Sequence, residues 1–192
     1  MRSSALLLCL VLSPCAAQQR LPLLALPGER FFIGSDIEVR APKSSGWRLV
    51  ERSSRVMSFA RQAGAPGETL GAQVFVFDLQ PTETPEQFVS LIKANMDQGW
   101  NPQRFDTIRA ASDYTAERGY PCVRFQVSLL DKLARTSPST TEPLPFEVHA
   151  LYCRHPARTG TGFSAVYSHR GRSAHASFAE EARDYIDGVR VP

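Results

Sequence analysis

The sequence is short of most features that announce a function. Beyond residue 30 no apolar run approaches the roughly 18 residues that a membrane-spanning helix needs. Charge of one sign is missing too. Basic residues number 22 against 19 acidic ones, for a net charge of +3, and no basic stripe carries interleaved aromatics, so no nucleic-acid partner is expected. There is neither a Gly-x-Gly-x-x-Gly nor a P-loop, which removes the usual phosphate cradles. The nucleophile elbow Gly-x-Ser-x-Gly is also absent: Gly162-Phe163-Ser164 lacks the second glycine, and its serine falls inside a strand pattern. The chain holds four cysteines, none in a Cys-x-x-Cys spacing. Repeats and low-complexity tracts are lacking.

What is present is ordinary globular material, 43% hydrophobic and 21% charged over 192 residues, enough for one domain. The first residues differ from the rest. Met1 to Ser4 form a short positive head, Ala5 to Leu12 are unbroken apolar, Ser13-Pro14 break the run, and small Ala16-Ala17 follow. This is the layout of a secretory signal peptide. The expected location is therefore outside the cytoplasm, in the periplasm or envelope of a bacterium, or secreted. Two processing routes fit. Cleavage after Ala17 releases a free chain. Alternatively, Leu12-Ser13-Pro14-Cys15 resembles a bacterial lipoprotein signal, in which Cys15 is lipidated and becomes the membrane anchor; Pro14 stands where that pattern carries Gly or Ala. Residues 18–30, with Pro22 and Pro27, read as a spacer, and residues 31–192 as a single α+β domain.

Period-two alternation marks strands at Phe31–Ile33, Ile37–Arg40, Trp47–Val50, Val56–Ala60, Gln73–Leu79 and Ile108–Ala116. Gln73–Leu79 is apolar on both faces, as a central strand is. Thr84-Pro85-Glu86-Gln87 fits a capping box, and Phe88, Leu91, Ile92 and Met96 follow it at helical spacing up to Gly99. A second capping box, Ser177-Phe178-Ala179-Glu180, opens a helix whose apolar face is Phe178, Ala182, Tyr185 and Ile186. In Cys122–Leu129 the odd positions are apolar, and in Phe146–Cys153 the even ones are. An antiparallel hairpin with Val123 opposite Tyr152 and Leu129 opposite Phe146 brings every core-facing residue onto another. Residues 130–145, with three prolines, read as a long mobile loop between these strands. A further strand spans Phe163–Ser168. The expected architecture is a twisted, mostly antiparallel sheet with the 85–98 and 178–187 helices packed on one face.

The hairpin register puts Cys122 opposite Cys153, although neither residue was used to choose it. With an oxidising compartment a structural disulfide is expected, two reduced core cysteines being the alternative. All four histidines, His149, His155, His169 and His175, lie close together in the sequence. Cys153-Arg154-His155 is not a ligand spacing, however, and Arg154 and Arg170 repel a cation, so they read as scattered surface histidines. Tyr167 to Arg172 is a basic stretch that reads as a solvated turn, with contact to an anionic group as its alternative. No catalytic, cofactor-binding or metal-ligating residue is assigned, and no cofactor.

Ile37-Glu38-Val39-Arg40-Ala41-Pro42 followed by Gly46-Trp47 resembles the start of PsbP-like domains, where an alternating strand runs into a proline and a Gly-Trp turn. The element order over residues 31 to 190 is similar to that family as well. The resemblance implies an antiparallel sheet with helices against one side, and an accessory or binding role in an exported compartment without an active site. The function expected is therefore that of an exported, non-catalytic module acting on an unknown protein or envelope partner. The alternatives are a secreted or envelope hydrolase of unrecognised type and a lipoprotein held through Cys15.

Overall fold

The computed structural model of the protein describes residues 23–65 and 67–192. Cys15, Ala17 and the signal segment lie outside the described residues. Ten strands and two helices follow one another: β1 (Leu23–Leu24), β2 (Arg30–Ile33), β3 (Ile37–Arg40), β4 (Arg48–Arg52), β5 (Val56–Gln62), β6 (Thr69–Asp78), α1 (Pro85–Gly99), β7 (Phe105–Thr115), β8 (Cys122–Ser137), β9 (Thr140–Arg154), β10 (Thr161–Arg170) and α2 (Phe178–Asp187). Eight strands form one antiparallel sheet in the order β1-β4-β5-β6-β10-β9-β8-β7, and β2 and β3 form a separate hairpin. The class is α+β, with a large antiparallel sheet and two helices. Residues 23–30, expected as spacer, join the fold: β1 pairs with β4, and Ala25 is buried with its N–H donated to the Trp47 carbonyl at 2.9 Å.

The β8–β9 hairpin is the longest element, and the register read from the sequence is the one adopted. Val123 opposes Tyr152, Phe125 opposes Ala150, Val127 opposes Val148 and Leu129 opposes Phe146. The expected mobile loop is corrected. Residues 130–145 continue both strands past two register shifts to a turn at Pro138 and Ser139. Pro143 and Pro145 are tolerated because β9 projects beyond Arg170, where β10 ends, so no third strand needs their missing N–H groups.

The expectation that both helices share one face is also corrected. Phe88 and Ile92 of α1 pack on Val123. Phe178, Ala182 and Tyr185 of α2 join Cys122, Cys153, Phe163 and Tyr167. Cys122 and Val123 are successive residues of one strand, so their side chains point to opposite faces, and the helices therefore sandwich the sheet. The β2–β3 hairpin lies with α2, burying Ile33, Ile37 and Val39 in the same cluster. Helix α1 starts as its sequence dictates: the Gln87 N–H donates to Thr84 Oγ1 at 3.3 Å, while the Gln87 amide oxygen accepts the Glu83 N–H at 2.8 Å. Helix α2 does not. Ser177 makes no capping bond, because its hydroxyl donates to the Glu181 carboxylate at 2.7 Å instead.

Cys122 and Cys153 are joined by a disulfide with an S–S length of 2.08 Å, both residues fully buried. It closes a loop 31 residues apart in sequence, so the chain-entropy contribution is about 3 kcal/mol. The Cys122→Ala/Cys153→Ala variant is expected to lose that much unfolding free energy in urea titration, with an unchanged far-ultraviolet circular dichroism spectrum before the transition.

Candidate functional site

The alternation that buries one side of β8 leaves the other side polar. Val123, Phe125, Val127 and Leu129 are buried under α1, whereas Arg124 and Gln126 are exposed on the α2 side and Ser128 is half-buried. Helix α2 is ten residues long and lies over β9 and β10, so it stops short of β8 and β7. Between its outer flank and the bare strands runs a cleft of about 610 Å3, whose walls include Glu117, Arg118, Arg124, Gln126, His149 and Arg183. Arg118 fixes one end. Its guanidinium donates to the Ile186 carbonyl at 2.7 Å and to Asp187 Oδ1 at 3.1 Å, holding the C-terminus of α2. Arg124 on the floor lies 3.3 Å from Asp113 and 3.4 Å from Glu117. Arg183 on α2 has no ion-pair or hydrogen-bond partner among the described residues. His149 sits edge-on to Phe178 at 4.9 Å, and burial pushes its pKa down against the pull of Glu147.

On the flank of α2 that faces Tyr167 and Arg61, Ser177, His175 and Glu181 come together, and this cluster tests the hydrolase alternative. Ser177 Oγ is 3.2 Å from His175 Nε2, and the same Nε2 is 3.0 Å from Glu181 Oε1. A catalytic histidine needs one ring nitrogen for the hydroxyl and the other for the acid. Here a single nitrogen meets both, and Ser177 already donates to the carboxylate directly. Glu181 also accepts from the Tyr167 hydroxyl at 2.6 Å and lies 3.4 Å from Arg61. Burial opposes its ionisation, but the hydroxyls of Tyr167 and Ser177 with His175 outweigh that and hold its pKa below the usual range. The cluster is a carboxylate anchoring α2 to β10 and has no activated nucleophile.

The expected surface histidines are corrected. His155 and His169 are buried and His149 and His175 half-buried, because strand alternation and a tight loop turn them inward. His155 Nδ1 accepts the Ala157 and Arg158 N–H groups at 3.2 and 3.1 Å, so its proton sits on Nε2, which faces Asp36 at 3.1 Å. Among the described residues no group of three His, Cys, Asp or Glu side chains is arranged to hold a metal. The basic Tyr167–Arg172 stretch is neither a solvated turn nor open to an external anion, because carboxylates of this chain occupy it. Tyr167 reaches Glu181, Arg170 Nε lies 2.9 Å from Asp131, and Arg172 pairs with Glu142.

Asp131 is the buried charge that sequence reasoning passed over. It is fully buried, and Arg104 grips it with two bonds of 2.9 Å. Arg104 and Arg170 in turn cap the Phe105 and Phe146 rings at 5.0 and 4.9 Å. Burial disfavours the anion, but the Arg104 bonds and the nearby Arg170 charge prevail and its pKa is lowered. Its signal was in the sequence: Asp131 continues the odd, core-facing series of Val127 and Leu129.

No family model matches this chain, and no curated protein matches it. Solved structures do. Over 87% of this chain and 96% of the other, the fold resembles Mog1p, a Ran-binding protein of Saccharomyces cerevisiae, with a TM-score of 0.50 and 8% identity. The fold is Mog1-like. A second structure, of a Mog1 point mutant, covers 82% of this chain and 83% of its own at a TM-score of 0.43 and 9% identity. The PsbP-like resemblance is thereby corrected to a Mog1-like one. The residues that carried it, Ile37 to Trp47, form β3 and the turn into β4, a short part of the chain. The expected exported accessory module, with its hydrolase and Cys15-lipoprotein alternatives, is corrected with it. The Mog1-like neighbour is described as a Ran-binding protein and lends no support to a signal peptide, a secreted or periplasmic role, or a lipid anchor. Among the described residues no helix is long and apolar enough to cross a membrane.

Burial lowers the pKa of His155, with the Arg158 charge adding to it, and lowers that of His149 and His169. The unfolded chain then binds more protons below the ordinary histidine pKa of about 6.5, so stability is complete above that value and declines as pH falls below it. Urea midpoints measured at about pH 7.5 and about pH 5.5 should show the lower value at the lower pH. Asp131→Asn leaves two guanidinium groups facing a neutral amide and should lower the unfolding free energy by about 3 kcal/mol in urea titration.

Proposed function

We propose that the protein is a protein-binding module that docks its partner in the polar cleft between α2 and the bare face of β7, β8 and β9. The observation that carries this reading is Arg183. It stands on the wall of a cleft of about 610 Å3 without a partner among the described residues, while Arg104, Arg118, Arg124 and Arg170 all meet carboxylates of the same chain. A guanidinium presents five donors in a planar fork, which suits a carboxylate or a backbone carbonyl on another protein. The walls mix both signs of charge, as the rim of a protein interface does. Ser177, His175 and Glu181, which resemble catalytic machinery by residue type, are wired to hold a helix and do not line the cleft. Likeness of fold to Mog1p, a protein described by what it binds, supports a protein as the occupant.

A photo-crosslinking amino acid placed at Gln126 or Arg183 in the full chain, expressed in its own cells, is expected to trap a discrete protein adduct. The same probe at Ser53, on the turn between β4 and β5, should trap none. Arg183→Glu should reduce the Gln126 adduct by about tenfold, because like charge replaces a complementary contact. Absence of an adduct at both cleft positions, or equal trapping at Ser53, would overturn the proposal.

A further inference from the structure

Strand β7 is an edge of the main sheet and pairs with β8 alone. Its eleven residues are exposed along almost their whole length. Among the described residues, no main-chain bond joins residues 106–114 to anything beyond β8. A row of N–H and C=O groups on a strand this long is a template for another strand. The opposite edge differs, since β1 has only two residues.

We propose that β7 pairs antiparallel with β7 of a second copy of this chain, about a two-fold axis through Ala111. Charge selects the register. With Ala111 opposite Ala111, Arg109 lies opposite Asp113 of the second copy, and Asp113 opposite its Arg109, so two ion pairs form by symmetry. Ala110 meets Ser112. Sliding the strands by one pleat places Arg109 opposite Ala111 or Thr115 and loses both ion pairs. Within one chain Arg109 has no partner among the described residues. Asp113 keeps a side chain 60% exposed beside Arg124, and is free to take a second cation. Small side chains at Ala110, Ala111 and Ser112 let the two backbones approach. Outside them, Ile108 at the bulge and Tyr114 are 68% and 39% exposed, and add apolar surface at the two ends of the paired segment. The bulge between Thr107 and Arg109 ends the regular segment and keeps the pairing short. The axis stands perpendicular to the sheet, so both copies present their α2 clefts on the same side of one doubled sheet. Charged residues on an edge commonly prevent indiscriminate pairing. Here they admit one partner strand in one register.

Sedimentation velocity of the full chain over a concentration series tests the proposal. The expected result is a reversible dimer that weakens as salt is raised. Arg109→Asp sets carboxylate against carboxylate at both ends and should weaken the dimer by about tenfold or more, as should Asp113→Arg. The double variant Arg109→Asp/Asp113→Arg exchanges the charges and should recover the dimer. Each variant is checked by circular dichroism, and both sites are exposed, so the fold should persist. As a second measurement, Ala111→Cys in a Cys9→Ser/Cys15→Ser background should give a covalent dimer on mild oxidation, while Ser139→Cys at the hairpin tip should not. A chain that stays monomeric at every concentration would overturn the proposal. So would a dimer indifferent to single charge reversals, a double variant without recovery, or equal crosslinking at both cysteine positions.

Discussion

The ladder between β8 and β9 decides where everything else in the molecule can go. It is the longest pairing in the sheet, and each step along it sends one residue towards α1 and the next towards α2. A slip of one residue would exchange the faces, placing Arg124 and Gln126 under α1 and Phe125 and Val127 in the cleft. Cys122 and Cys153 lock one end of this ladder, and the Asp131–Arg104–Arg170 cluster holds it where its unbroken register stops. The two fastenings differ in kind. The disulfide limits the unfolded chain, whereas the buried carboxylate is matched to its guanidinium partners only when β7, β8 and β10 have already met.

Charge is settled internally over much of the described chain. Glu181 ties α2 to β10, Asp131 ties the hairpin to β7 and β10, and Glu38 accepts both Arg30 and Arg40 across the β2–β3 hairpin. The Glu181 group resembles a functional cluster when only residue types are considered, since it brings hydroxyl, imidazole and carboxylate together. Its wiring shows otherwise, because the Ser177 hydroxyl donates to Glu181 directly and one nitrogen of His175 meets both partners. Arg183 and Arg109 break this pattern, the first on the flank of α2 and the second on the bare side of the sheet that α2 is too short to cover.

Much of the fold was legible in the residues. The strand alternation, the Thr84 cap and the hairpin register all rest on local periodicity and on opposed pairs, which short stretches specify fully. The errors share a cause. Pro138, Pro143 and Pro145 read as loop because the sequence does not say that β10 ends early and leaves β9 an edge there. Both helices were assigned to one face because an amphipathic helix shows which side it buries, not which side of a sheet receives it. Ser177 read as a cap because its competing acceptor, Glu181, is also committed to Tyr167 on a strand that only the tertiary fold brings near. The histidines read as surface residues because burial depends on what packs over a strand. The PsbP-like resemblance rested on one strand and turn, too local to separate families that share an element order.

The sequence by itself determined which residues alternate, where α1 begins and ends, and which residue of β8 faces which residue of β9, since period-two patterning allows one register that buries apolar side chains on apolar side chains. Only the tertiary structure decided that the helices sit on opposite faces, that α2 stops short of β8, and that the polar side of that strand is thereby left open. Those features depend on how far one element reaches across another, a distance set by strand order and helix length that no local pattern encodes.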